Sequence, residues 1–197
     1  MDLSHPINAL SPGLTGAVLE VLCRTTRPLS GRAVQRLLPR SASQAGVQKT
    51  LDRLAAEGLV TQTAAGRSIL NLLNRDHALA SAVNEVVAVG DDIPARIAEI
   101  VETHAKGVSM ALLFGSVARG EAGPGSDIDL LLIWPAGTEE SVLWAAAAEV
   151  AVGVTRLTGN PCTPLVYTDE DYAALPERAP GFAESLAREA VTLIPAA

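Results

Sequence analysis

The sequence has few of the residues that crosslink a small fold or stack on nucleobases. Of its 197 residues, two are cysteine and 3% are aromatic. Cys23 and Cys162 lie far apart without CxxC or Cys/His spacing, so neither a disulfide framework nor a zinc site is expected. The low aromatic content excludes most of the stacking platforms by which proteins bind single-stranded nucleic acid.

Long hydrophobic runs and a basic N-terminal leader are also lacking. No uncharged apolar stretch approaches the roughly 20 residues that span a bilayer, and the start MDLSHPINAL has no positive n-region. We therefore expect a soluble, cytoplasmic protein without a membrane partner. Hydrophobic residues make up 48% of the chain and charged residues 19%, which excludes a disordered chain and predicts an aliphatic, alanine-rich core.

Charge is divided unevenly along the chain, although the net charge is −7. Residues 1–75 contain nine basic and four acidic side chains, whereas residues 76–197 contain six basic and eighteen acidic ones. The first part therefore carries +5 and the second −12. This asymmetry predicts two units with different partners.

Residues 1–75 show the pattern of three helices followed by a hairpin. Apolar residues at helical spacing predict a first helix, a second that is capped by Ser30 and ended by Pro39, and a third opened by Ser43. The runs LVTQT and SILNLL flank a tight Ala64–Arg67 link and predict a β-hairpin. Three helices and a hairpin in this order make a winged helix-turn-helix domain.

The rest of the chain alternates helical and strand-like patterns. The spacing of apolar residues in 76–105 predicts two helices, or one kinked helix, that link the units. In residues 106–197 the runs VSMALLF, DIDLLLIW and PLVYT predict strands, with helices between and after them. We expect an α/β (α+β) chain overall, with a mixed sheet and helices in this last part. Trp134, Trp144 and Tyr167 are expected in its core.

One glycine-rich segment of the second unit carries the chemistry. A strand runs into Gly115 and Ser116, where a missing Cβ lets backbone amides approach an anion and a following helix can attract phosphate. Asp127 and Asp129 are two residues apart on the next strand, so they face the same side. Two carboxylates on one face favour Mg²⁺ that also binds a triphosphate. The pattern indicates phosphoryl or nucleotidyl transfer.

This segment resembles the nucleotidyltransferase motif of the DNA polymerase β superfamily, in which Gly-Ser precedes Asp-hydrophobic-Asp. Ten residues separate Ser116 from Asp127, a spacing similar to that of the minimal nucleotidyltransferases. The resemblance implies a site for Mg²⁺ and a nucleoside triphosphate, with ATP the first expectation. Its catalytic and metal-binding residues would be Asp127 and Asp129, and its nucleotide-binding residues Gly115, Ser116, Arg119 and Ser126.

One element of that superfamily is not evident in the chain. Active members supply a third carboxylate from a later strand, where it helps to hold metal and can deprotonate the attacking hydroxyl. The corresponding run, residues 160–167, contains no acid, and Asp169 to Asp171 are expected to cap and begin the next helix. Three activities stay open: nucleotidyl transfer to a hydroxyl acceptor, catalytically inactive nucleotide sensing, and antitoxin-like modification of a partner protein.

The basic first unit is expected to bind duplex DNA and to regulate transcription. Its third helix and hairpin are the elements that a winged helix places against DNA. The expected DNA-binding residues are Gln44, Gln48, Lys49, Arg53 and Arg67. A solvated basic face or a protein-interaction module would account for the same charges. A homodimer that reads paired half-sites is a further expectation.

Overall fold

The chain folds into two units in the computed structural model, which describes residues 1–196. The first unit contains His5–Gly90, and the second contains Met1–Ser4 together with the chain from Asp91 onward. Helices account for 52% of the residues and strands for 18%, so the expected mixed α and β class is confirmed.

The first unit contains three helices and a three-stranded antiparallel sheet. The elements are a 3-10 turn Pro6–Ala9, α1 Leu14–Cys23, β1 Leu29–Ser30, α2 Gly31–Leu37, α3 Gln44–Ala56, β2 Val60–Ala65 and β3 Ser68–Leu73. β3 lies between β1 and β2 and is antiparallel to both. This is the predicted winged helix, with one short strand, β1, that the sequence patterns did not indicate.

Local sequence explains where the helices of this unit begin and end. The Ser30 hydroxyl accepts a hydrogen bond from the Ala33 amide at 3.2 Å, and the Ser43 hydroxyl accepts one from the Gly46 amide at 3.1 Å. Both are side-chain N-caps, as predicted. Gly58 follows α3 with φ +82°, a left-handed conformation that glycine adopts without strain.

The core of the first unit is aliphatic, as its composition predicts. Its buried residues include Val18, Leu22, Val34, Leu38, Val47, Leu51, Leu54, Leu59, Val60 and Leu73. Leu37, which the helical pattern places on the inner face of α2, is 64% exposed because α2 ends there and the chain turns away in an extended conformation.

A single helix, α4, covers Ala80–His104. Pro94 lies inside it, where the missing amide removes one backbone hydrogen bond without ending the helix. The sequence left open two helices or one kinked helix, and the second alternative corresponds to this continuous element. The residues of α4 belong to both units, which divide between Gly90 and Asp91.

The second unit contains a four-stranded mixed sheet. Its elements are β4 Met110–Phe114, α5 Gly115–Ala118, β5 Asp129–Trp134, α6 Glu140–Thr158, β6 Leu165–Thr168, α7 Asp169–Ala173, α8 Leu175–Arg178, α9 Pro180–Glu189 and β7 Val191–Ile194. The strand order is β6-β5-β4-β7, in which β5 and β6 are parallel and the other pairs antiparallel. The sequence patterns did not indicate β7, because VTLI follows α9 without a turn signal.

β5 is the most buried strand of this sheet. All its residues after Asp129 are buried, which explains why it is a continuous apolar run and does not alternate. On one face, Leu131 and Ile133 pack with Leu175 of α8 and Leu186 of α9. The strand therefore holds Asp129 at its beginning on a rigid support.

α6 is the one helix within residues 1–196 whose length and composition would allow it to cross a membrane. Its buried side, which includes Leu143 and Val154, faces the interior of the unit. A Cβ added to Gly153 would lie 2.8 Å from the Ile100 side chain of α4, so the two helices approach closely. One side of α6 thus packs in the interior of the unit, and its other side is exposed. Trp144 of α6, expected in the core, is 55% exposed instead.

Candidate functional site

The glycine turn and the acidic pair meet at one edge of the sheet. Phe114 pairs with Asp129 across β4 and β5, so the end of one strand lies beside the start of the other. Gly115 follows with φ +72°, and a Cβ placed on it would lie 2.0 Å from Asp129 Oδ2. A side chain at position 115 would therefore collide with this carboxylate as well as strain the backbone. The predicted phosphate turn and one predicted metal ligand are directly adjacent.

The other predicted site residues of this segment lie close by along the chain. Ser116 is the second residue of the short helix α5. Asp127 is exposed and lies just before β5. The strand begins only at Asp129, since Ile128 makes an isolated bridge with Cys162 and is not part of the continuous ladder. Ile128 is completely buried between the two more accessible aspartates. This alternation is what two carboxylates on a common face require.

Ser126 is held by hydrogen bonds within the protein. Its hydroxyl accepts a bond from the Gly123 amide at 3.0 Å, and its carbonyl accepts one from the Asn160 side chain at 2.8 Å. Asn160 is completely buried and also accepts a bond from the ammonium group of Met1 at 2.6 Å. These bonds fix the loop before Asp127. A nucleotide contact by Ser126 stays a prediction.

The two glutamines predicted to contact DNA lie against the start of α2. A Cβ added to Gly31 would lie 2.8 Å from Gln48 Oε1 and 3.5 Å from Gln44 Nε2. Both side chains are half-buried, and the Gln48 amide donates a hydrogen bond to Asp52 Oδ1 at 2.8 Å. Gln44 and Gln48 therefore also stabilise the packing of α3 on α2.

The three predicted basic contacts differ in their surroundings. Arg53 pairs with Glu57 at 2.9 Å and donates a hydrogen bond to the Thr15 hydroxyl at 2.9 Å. Lys49 on α3 and Arg67 in the turn of the hairpin are exposed. Neither has an ion-pair partner in the part of the chain that the structure describes. Lys49 and Arg67 are therefore the more available cations for an anionic partner.

Each of the two units contains a segment that matches a known domain family. Residues 95–189 match the nucleotidyltransferase domain, and residues 13–74 match the TBPIP/Hop2 winged helix domain. The chain joins a winged helix domain to a nucleotidyltransferase domain. The predicted fold class and the resemblance described above are thus confirmed. Comparison with the curated proteins gave no match.

Two solved structures are similar to 52% of the chain. One, described as a toxin-antitoxin with AMP-PNP, has 17% identity and a TM-score of 0.38, with 73% of its chain covered. The other is a Sulfolobus solfataricus protein assigned as a nucleotidyltransferase, with 21% identity, a TM-score of 0.31 and 79% of its chain covered. At these TM-scores, neither likeness bears on the activity of this chain.

Arg119 of the nucleotidyltransferase domain is held by two carboxylates. It pairs with Glu121 and with Glu189, each at 2.8 Å. The hydrogen bonds that Arg119 donates to Glu121 and then to Glu189 raise the pKa of Arg119. Those that Glu189 accepts from Arg188 and then from Arg119 lower the pKa of Glu189. Sequence reasoning predicted a phosphate contact for Arg119 and missed both pairs. Glu189 is the last residue of α9 and precedes the unpredicted strand β7.

A threonine in the segment that leads into β6 lies at the level of Asp129. β5 and β6 are parallel, and the pairs Leu131–Leu165 and Ile128–Cys162 have the same offset along the chain. That offset places Thr163 beside Asp129 on the same face of the sheet. Thr163 is exposed and thus accessible from the acidic edge. Among residues 1–196, no group of three or more His, Cys, Asp or Glu side chains could hold a metal ion.

The acidic run Asp169–Asp171 lies at the opposite end of β6. Thr168 pairs with Trp134, the last residue of β5, whereas Asp129 is the first. The Thr168 hydroxyl accepts a hydrogen bond from the Asp171 amide at 3.2 Å, so Thr168 is the N-cap of α7 and the acids form its first turn. These acids do not supply the missing carboxylate to Asp129.

The donor set at this edge fits a divalent cation. Burial and the charge of Asp127 raise the pKa of Asp129, whereas Arg119 lowers it. Burial and the charge of Asp129 raise the pKa of Cys162 to about 12, so this nearby thiol stays protonated at neutral pH. Carboxylate oxygens, the ligands that Mg²⁺ prefers, are therefore the anionic groups available at this edge. A cation between Asp127 and Asp129 would relieve their mutual repulsion.

The winged helix domain has a basic groove that residue-by-residue prediction missed. It is lined by Ser30, Arg32, Gln35, Arg36 and Gln44. Arg32 and Arg36 are exposed, and over residues 1–196 neither has an ion-pair partner. Their charges were counted in the +5 of residues 1–75, but only the packing of α2 against α3 brings them next to Gln44.

Proposed function

We propose that the nucleotidyltransferase domain binds a complex of Mg²⁺ with a nucleoside triphosphate at the edge formed by Gly115, Ser116, Asp127 and Asp129. The adjacency of Gly115 and the Asp129 carboxylate carries this proposal. It brings a turn whose amides can approach phosphate next to an oxygen ligand for the metal. ATP is the first nucleotide to test.

Each residue has a distinct part in this proposal. Asp127 and Asp129 would hold Mg²⁺, which when bound offsets the charge of the triphosphate. The backbone at Gly115 and Ser116 would orient the terminal phosphates. In a transfer reaction, the oxygen of an acceptor hydroxyl bonds to the α-phosphorus as the bond to the leaving pyrophosphate breaks, and the hydroxyl proton passes to solvent. A partner protein as the acceptor, as in antitoxin-like enzymes, is an expectation that rests on the motif spacing.

Calorimetric titration of the full chain tests nucleotide binding. ATP, GTP, CTP and UTP are titrated separately, each with Mg²⁺ and with EDTA. We expect saturable binding of at least one triphosphate, and only in the presence of Mg²⁺. Heat changes that do not saturate for any of the four would overturn the proposal.

We further propose that this domain senses nucleotide and transfers it poorly, since Thr163 lies where a proton-accepting carboxylate is needed beside Asp129. Replacement Thr163→Asp should then raise pyrophosphate release from the bound triphosphate by about tenfold or more, because general-base catalysis contributes about 100-fold to 10,000-fold. Release of labelled pyrophosphate measures this. Thr163→Asn is the matched neutral control and should stay at the wild-type rate. Rapid pyrophosphate release by the wild type would instead establish a transferase that needs no acid at this position.

Arg119 provides a second test of the nucleotide site. If its guanidinium contacts phosphate, Glu189 competes with the ligand for it. Replacement Glu189→Gln should then raise the affinity for Mg²⁺-ATP by a few-fold at most, because an exposed ion pair is screened by solvent and competes only weakly. Titration at two salt concentrations measures this, with Glu184→Gln on the exposed side of α9 as the control. Equal affinity in wild type and Glu189→Gln would limit Arg119 to a structural ion pair.

We propose that the winged helix domain binds duplex DNA, so that the protein is a nucleotide-responsive regulator. The charge of +5 on residues 1–75 and the exposed cations Lys49, Arg67, Arg32 and Arg36 support this proposal. Asp52 opposes it in part, because its carboxylate lies on α3 within 2.8 Å of Gln48. The phosphate backbone therefore contributes most of the affinity through the cations around this helix.

A further inference from the structure

We propose that two copies of the chain associate through the exposed face of α6, antiparallel to each other about a two-fold axis at Ala148. The occupant of this face is thus a second copy of the same helix. The inference is independent of the nucleotide and DNA proposals, because none of their residues lies on α6.

The exposed face of α6 is unusually apolar. In the most apolar 18-residue window of the helix, only 28% of the residues are buried. Trp144 is 55% exposed and Val152 is 65% exposed, and Ala145 and Ala148 between them are also exposed. A tryptophan on a helix surface is a large apolar area in contact with water, and such residues are typical anchors of protein interfaces.

The sequence of α6 is complementary to itself when read in the opposite direction. Residues four apart form a ridge along a helix, here Glu140, Trp144, Ala148, Val152 and Arg156. In an antiparallel pair centred on Ala148, positions equidistant from it face each other. Trp144 then faces Val152 of the second copy, and Ala148 meets its own equivalent. The small alanine side chain at the centre lets the two helices approach closely.

Charge specifies the same arrangement. Glu140 faces Arg156 of the second copy, and two-fold symmetry makes this pair twice. Arg156 is exposed and has no ion-pair partner along residues 1–196. Glu140 accepts a hydrogen bond from Trp144 Nε1 at 3.3 Å, which links the aromatic anchor to the charged end of the ridge. A parallel pair would instead place Glu140 against Glu140, so charge favours the antiparallel register.

Charge exchange tests the register. Sedimentation of the full chain over a concentration series should show a reversible dimer. Glu140→Arg and Arg156→Glu should each weaken dimerisation by about tenfold or more, since each places two like-charge pairs in the interface. The double variant should recover the wild-type affinity. Thermal melting of all variants separates loss of association from loss of folding.

Two further variants test the apolar part and the axis. Val152→Glu should weaken the dimer, whereas Leu10→Glu, the same replacement of an exposed apolar side chain elsewhere, should not. Ala148→Cys should form an intermolecular disulfide under mild oxidation, because a residue on the axis meets itself. Ala173→Cys on α7 and the wild type, which retains Cys23 and Cys162, are the controls.

Several results would overturn the proposal. One is a monomer at every concentration, and another is a dimer that the Val152→Glu and charge variants leave unchanged. A third is a monomer that binds vesicles of phosphatidylglycerol and phosphatidylcholine through α6, since a lipid surface would then be the occupant. If the double charge variant dimerises as weakly as the single variants, the antiparallel register is excluded.

Discussion

Replacement of both Asp127 and Asp129 by asparagine is expected to abolish Mg²⁺-dependent triphosphate binding while the protein stays folded. The variant lacks both anionic oxygen ligands, and loss even of outer-shell partners costs metal sites about tenfold to 100-fold in affinity. We therefore expect at least about a 100-fold loss. Titration calorimetry with Mg²⁺-ATP measures this, and circular dichroism checks the fold.

The same variant should be as stable as the wild type or more stable at neutral pH. Burial and Asp127 raise the pKa of Asp129 above that of the unfolded chain. The folded state is therefore more stable when Asp129 is protonated. As the pH rises through the raised pKa, Asp129 ionises and the wild type loses this part of its free energy of unfolding. The variant avoids that loss, so its melting temperature should exceed that of the wild type at neutral pH, and the difference should vanish in acid. Melting curves from pH 3 to 8 test the sign.

A matched control comes from the other end of β6. Asp169→Asn with Glu170→Gln removes the same two charges from the first turn of α7 and should leave triphosphate binding unchanged. Equal Mg²⁺-ATP affinity in the wild type and the Asp127/Asp129 variant would contradict the proposed metal site. If both double variants lose the same amount of Mg²⁺-ATP affinity, then net charge alone, and not this edge of the sheet, determines binding.

Charge reversal at Lys49 and Arg67 should produce the second large effect, a loss of about 100-fold or more in affinity for duplex DNA. Both cations are exposed and unpaired within the described chain, and the change lowers the charge of residues 1–75 from +5 to +1. The slope of log affinity against log salt should fall by roughly two, because each phosphate contact contributes about 0.9. Fluorescence anisotropy of a labelled duplex over a salt series measures both quantities.

The control for DNA binding makes the same change of charge outside the winged helix domain. Arg96→Glu with Lys106→Glu alters two exposed cations of the second unit and should reduce affinity far less. If the Lys49/Arg67 variant retains wild-type affinity, α3 and the hairpin turn are not the DNA contacts. If the wild type retains no fragment from a genomic library, the DNA-binding proposal itself is wrong.

Local signals in the sequence determined most of the winged helix domain. The caps at Ser30 and Ser43 and the left-handed Gly58 each depend on a few neighbouring residues. The order of the elements follows from these boundaries and from the spacing of the apolar residues. The strand β1 escaped prediction because two residues have no periodicity, and it exists only through its pairing with β3.

The candidate nucleotide site was predictable for the same reason. Gly115, Ser116, Asp127 and Asp129 lie within one short segment, and the loop between them joins two adjacent antiparallel strands. Chain connectivity therefore brings the turn and the acidic pair together. Residue types and spacing were sufficient to predict these residues as a group.

Only the tertiary structure decided the surroundings of that site. Arg119 pairs with Glu189, which is 70 residues away in the sequence, because β7 returns the chain from α9 to the edge of β4. Thr163 lies beside Asp129 because β6 joins the sheet in a parallel register. These neighbours depend on strand order and register, which are set by pairing and packing between distant segments. Local periodicity carries no information about them.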